Sequence, residues 1–71
     1  MTIVGDNIRA ARLENELTQR ALADKIAIDP MSVSRWERGA VMPSHLNLLS
    51  LAEALDRDPA WFYIDREQVA A

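Results

Sequence analysis

Cysteine is absent from the 71 residues, so disulfides, zinc–cysteine sites and cysteine nucleophiles are excluded together. Glycine occurs twice, proline three times, and β-branched residues are few, which favours helices joined by short turns over sheet. There is one histidine, His45, and no pair of catalytic groups is spaced around it, so an enzyme is not expected, nor is a cofactor, a metal or a small-molecule ligand. No apolar run approaches the roughly 18 residues of a membrane span. No basic-then-apolar leader opens the sequence, and the expected compartment is the cytoplasm. What remains, 49% hydrophobic and 27% charged residues, is the composition of one small globular domain.

A surplus of positive charge is also lacking, because the formal net charge is −3. Its distribution is uneven. Up to Ala40, six basic residues (Arg9, Arg12, Arg20, Lys25, Arg35, Arg38) balance six acids (Asp6, Glu14, Glu16, Asp24, Asp29, Glu37). From Val41 on, Arg57 and Arg66 face Glu53, Asp56, Asp58, Asp65 and Glu67, so the whole deficit lies there. Net charge governs solubility and nonspecific attraction rather than what one face can bind.

The punctuation is helical throughout. Thr2 or Gly5 opens a segment with Val4, Ile8 and Ala11 on one face, ending near Asn15, a residue able to take the left-handed conformation that closes a helix. Thr18 caps a second helix, 19–26, with Leu22, Ala23 and Ile26 inward. Asp29 and Pro30 supply an acidic cap and a proline at the first helical position, starting a third helix that runs to Arg38 and is stopped by Gly39. Pro43 and Ser44 start a fourth, with Leu46, Leu49, Ala52 and Leu55 read as its stripe. Asp58 and Pro59 start a last short helix holding Trp61, Phe62 and Ile64. Five short helices must share one core. The expected core is Val4, Ile8, Leu17, Leu22, Ala23, Ile26, Val33, Trp36, Leu49, Ala52, Leu55 and Trp61, in an all-α five-helix bundle over residues 1–65 with a tail at 66–71.

Residues 19–38 hold the functional signal. A helix, a short turn plugged by Ile28, and a second helix burying Val33 and Trp36 form a helix-turn-helix, whose second helix can enter a DNA major groove. Ala23 is the small residue the crossing needs. Met31, Ser32, Ser34, Arg35 and Arg38 are left outward. Arg35 can fork onto guanine O6 and N7 or hold a phosphate, and Met31 can press on thymine methyls or pack on the preceding helix. Ser32 and Ser34 suit base edges or phosphates, Arg9 and Arg38 suit phosphates, and Ser44, His45 and Asn47 begin a helix whose free N–H groups suit a phosphate.

Ile8, Arg9 and Arg12, then Leu17, Thr18 and Gln19, then Leu22 and Ala23, then the run from Val33 to Gly39, resemble the phage repressor and Cro family of helix-turn-helix proteins, also called the xenobiotic-response-element family. Pro43, Ser44, Leu49 to Ala52 and Leu55 extend the resemblance over almost the whole chain. It implies a lambda-repressor-like domain of a transcriptional regulator, often a homodimer on an inverted repeat of double-stranded DNA. It further implies that Gln19 contacts phosphate and that Arg12 and Glu37 form an ion pair tying the first helix to the third. Where the family prefers glycine, the turn holds Ala27; a left-handed alanine there costs roughly 1 kcal/mol. The reading of the sequence is a DNA-binding repressor acting as a weak homodimer on DNA. An antitoxin or other protein-interaction module with autoregulatory DNA binding is the alternative, although the short run from Gln68 to Ala71 lacks the apolar extension that would favour it.

Overall fold

The computed structural model describes residues 2–66. Four α-helices, α1 (Ile3–Glu14), α2 (Gln19–Lys25), α3 (Pro30–Arg38) and α4 (His45–Ala54), are followed by a 3-10 helix, Pro59–Tyr63. No strand occurs among the described residues. The cap residues act as their types dictate. Thr2 Oγ1 accepts from the Gly5 amide (2.9 Å), Thr18 Oγ1 from Ala21 (3.0 Å), Asp29 Oδ1 from Met31 (2.8 Å) and Ser44 Oγ from Asn47 (3.1 Å).

The expected fifth α-helix is a 3-10 helix instead, with the Trp61 amide on the Asp58 carbonyl at 2.9 Å and that of Ile64 on Trp61 at 3.3 Å. Five residues are too few for an α-helix to propagate. Its carbonyls are taken by buried Asn7, whose amide nitrogen donates to Phe62 O at 2.9 Å and Ile64 O at 2.8 Å. Asn7 carries no signal in the sequence, since nothing local marks a polar residue for burial 55 residues from its partner. Arg66 packs its guanidinium 3.6 Å from the centre of the Trp61 ring, and residues 67–71 of the expected tail lie outside the described residues.

The α-helices all close the same way. The amide of Leu17 reaches back to Arg12 O, Ile28 to Ala23 O, Ala40 to Arg35 O and Arg57 to Ala52 O, at 2.9–3.1 Å. Such a closure requires a left-handed residue. Only Gly39 (φ +77°) is a glycine; Glu16, Ala27 and Asp56 take φ of +56° to +57°. Asn15, expected in that role, has φ −88° and is the cap instead, its side chain donating to Ala11 O at 2.8 Å. Likewise α2 ends one residue early, with Ile26 as its cap.

The core is Val4, Ile8, Ala11, Leu22, Ala23, Val33, Trp36, Leu48, Leu51, Ala52, Leu55 and Phe62. Leu17, Ile26 and Trp61, expected inside, are half-buried against it. On α4 the buried side differs from the expected stripe: Leu49 is 40% and Leu46 75% exposed. The reason is geometric. At about 100° per residue, Leu46 and Leu55 stand about 180° apart, so a spacing of three cannot keep one face. Leu48, Leu51, Ala52 and Leu55 fall within about 100° of each other and form the buried side. Each fully buried leucine contributes roughly 1.5–3 kcal/mol.

Gly5 sets how closely α1 crosses α3. A Cβ there would meet the Trp36 carbonyl and lie 2.9 Å from that of Glu37. The last turn of α3 therefore rests on the α1 backbone, which fixes the height of the helix that carries the outward residues.

Candidate nucleic-acid interface

The two sides of α3 differ in character. Val33, Trp36 and Glu37 are buried. Opposite Val33, the exposed Met31, Arg35 and Arg38 fall within about 60° of one another, and half-buried Ser32 and Ser34 flank them at about 100° either side of Val33. All the outward residues expected from the sequence thus share one side. Met31 is 52% exposed, which disfavours its packing on α2. Arg38 Nε lies 3.4 Å from Ser34 O, which steers its guanidinium back along α3. Asp29 caps the leading end, so one carboxylate stands beside Met31.

Trp36 is almost fully buried, a core residue and not a stacking platform. Beside it is the ion pair implied by the resemblance. Arg12 Nε donates to Glu37 Oε2 at 2.7 Å and Nη2 to Oε1 at 3.1 Å, with side chains only 9% and 4% exposed. The fork geometry suits a desolvated pair, and the remaining arginine nitrogen, Nη1, is satisfied by Leu17 O at 2.8 Å. Gln19 joins this network, its amide nitrogen 3.1 Å from Glu37 Oε1. No sequence signal joins Gln19 to Glu37, which are 18 residues apart on different helices.

Arg9 is exposed on α1, and Ser44 and His45 are exposed at the start of α4, with Asn47 half-buried. Ser44 Oγ is engaged by the Asn47 amide, so one of the donors proposed for phosphate is already used. Exposed Arg9, Arg20, Lys25, Arg35 and Arg38 precede Val41, as do exposed Asp6, Glu14, Glu16, Asp24 and Asp29. Exposed Glu53, Asp56 and Asp58 follow it. Among the described residues no three histidine, aspartate or glutamate side chains are grouped to hold a metal ion.

A helix-turn-helix family profile matches residues 8–62. Over 64 residues the chain is 39% identical to the transcriptional regulator DicA of Escherichia coli, covering 90% of this chain and 47% of DicA, so it spans about half the length of that curated relative. Its fold is similar to the P22 c2 repressor solved with a synthetic operator (TM-score 0.81, 32% identity, 87% of this chain and 94% of that one). It is equally similar to the restriction-modification controller protein C.AhdI of Aeromonas hydrophila (TM-score 0.82, 34% identity, 86% and 92%). These relatives are regulators, not enzymes.

Proposed function

We propose, from the premise that the chain belongs to the helix-turn-helix family, that it is a sequence-specific, double-stranded DNA-binding transcriptional regulator of the cytoplasm. It acts as a repressor by occupying an operator with α3 in the major groove. The observation that carries this is the division of α3: Val33 and Trp36 locked in the core, Met31, Ser32, Ser34, Arg35 and Arg38 together outside. Arg35 bridges guanine O6 and N7, Met31 lies on thymine methyls, and the serines reach neighbouring base edges. Gln19, Arg9, Arg38 and the start of α4 at Ser44, His45 and Asn47 hold phosphates, which sets register without reading sequence. The operator complex of the P22 c2 repressor supports this choice of ligand. Residues 1–65 act as the DNA-binding unit.

The protein binds as a weak homodimer formed on DNA, with two copies on half-sites about one helical turn apart. Of the three consecutive aromatics, Phe62 is fully buried and Trp61 half-buried, while Tyr63 is 57% exposed. Tyr63 is therefore the residue offered to a second copy. The test is selection of bound duplexes from random DNA, followed by gel shifts on the enriched sites and on DNA upstream of the protein's own coding region. Enrichment of one motif supports the reading; recovery of random sequence overturns it.

A further inference from the structure

We propose that Glu37 is a positioning residue for DNA binding: through its hydrogen bond from Gln19, it fixes the phosphate contact at the start of α2 in register with the reading face of α3. The inference rests on the phosphate role given to Gln19 above. Glu37 Oε1 accepts from both Arg12 Nη2 and Gln19 Nε2, each at 3.1 Å, and Oε2 accepts from Arg12 Nε at 2.7 Å. A carboxylate only accepts, so Gln19 must turn its NH2 group toward Glu37, and its amide orientation is fixed rather than free to flip. The backbone just before Gln19 is pinned by the same group, because Arg12 Nη1 holds Leu17 O at 2.8 Å. One buried carboxylate on α3 thereby restrains α1, the turn and the first residue of α2.

The consequence for binding follows from where Glu37 sits. It occupies the inner side of α3, while Arg35, two residues earlier, projects from the outer side. Reading and holding are then set from one short helix: α3 places Arg35 against a base and, through Glu37, Gln19 against the backbone. A glutamine already immobilised loses less rotamer freedom when a phosphate arrives than one moving in solvent. Glu37 never touches DNA in this scheme; its effect passes through Gln19.

A double-mutant cycle read in DNA affinity tests this, on the preferred duplex and on a scrambled one. In the wild-type background Gln19→Ala should weaken both duplexes about tenfold, the loss of one charge-assisted hydrogen bond. In the Glu37→Gln background the same change should weaken them less than about threefold, because the one oxygen left at position 37 is drawn to the charged Arg12 guanidinium and the Gln19 amide loses its acceptor. Equal factors in the two backgrounds overturn the proposal, as does a Gln19→Ala variant that binds like wild type. If Glu37→Gln does not fold, the decision passes to the wild-type chain without DNA. There the Gln19 side-chain amide should show a 15N order parameter approaching the rigid-backbone value of about 0.85, and a mobile amide overturns the coupling. A wild-type chain that binds no duplex is a separate outcome, which overturns the DNA reading itself and this inference with it.

Discussion

Arg35 and Glu37 stand two residues apart on α3 and answer to different physics. Arg35 is exposed and its contribution depends on the ligand, so Arg35→Ala should leave the melting temperature nearly unchanged. On the preferred duplex it should cost about 1–3 kcal/mol and relax the preference at one guanine. Affinities for the full set of single-base substitutions check this. If the variant keeps the wild-type rank order at a uniformly reduced level, Arg35 holds phosphate and reading falls to Met31 and the serines. Glu37 is buried, and Glu37→Ala leaves the Arg12 guanidinium desolvated without its partner. Breaking such a pair from one side costs about 3–5 kcal/mol, a large share of a small domain's stability. Thermal unfolding should show the loss, and the order of preferred sequences should stay the same among molecules still folded. A Glu37→Ala chain that melts with wild type would show the pair to be dispensable.

At the scale of the element, the turn between α2 and α3 stores strain. Ala27 is left-handed at φ +56°, where a β-carbon costs roughly 1–2 kcal/mol and glycine is nearly unstrained. Ala27→Gly should therefore stabilise the domain, by about 0.5–1 kcal/mol after the added freedom of the unfolded chain is deducted. A denaturant midpoint that moves down instead of up would contradict this. Gly5→Ala should act in the opposite direction, since its Cβ would run into the backbone carbonyls of Trp36 and Glu37, which cannot step aside, as well as Thr2 Oγ1. These elements also show what was legible beforehand. The starts of α2, α3 and α4 were readable because Thr18, Asp29 and Ser44 satisfy amides only two or three residues away. The outward set on α3 was readable because Val33 and Trp36 fix its phase. Two kinds of feature were not. On α4 leucines stand on both sides of the helix, so a three-residue spacing picks out Leu46 and Leu49, whereas the buried side is the one Leu48 shares with Leu51, Ala52 and Leu55. The links from Asn7 to the 3-10 helix and from Gln19 to Glu37 join residues far apart in sequence, and neither end carries a local mark.

For the whole molecule, the balance of charge bears on the DNA binding proposed for it. The acidic deficit falls after Val41, while the proposed interface has few cations besides Arg9, Arg35 and Arg38. At most about three counterions are then released per copy, which makes the salt dependence shallow for a DNA binder. A homodimer on DNA requires two copies per minimal high-affinity site, and Tyr63→Ala should reduce cooperativity between half-sites without altering the preferred bases. Sedimentation of the complex gives the stoichiometry, and one copy per site would remove the dimer. Binding of the wild-type chain to its selected duplex and to a scrambled duplex of equal composition, over a salt series, bears on the whole scheme at once. The expected result is a preference on the order of a thousandfold for the selected duplex, with a log–log salt slope no steeper than about −3 per copy on both. Equal affinity for the two duplexes at every salt concentration would contradict sequence reading by α3.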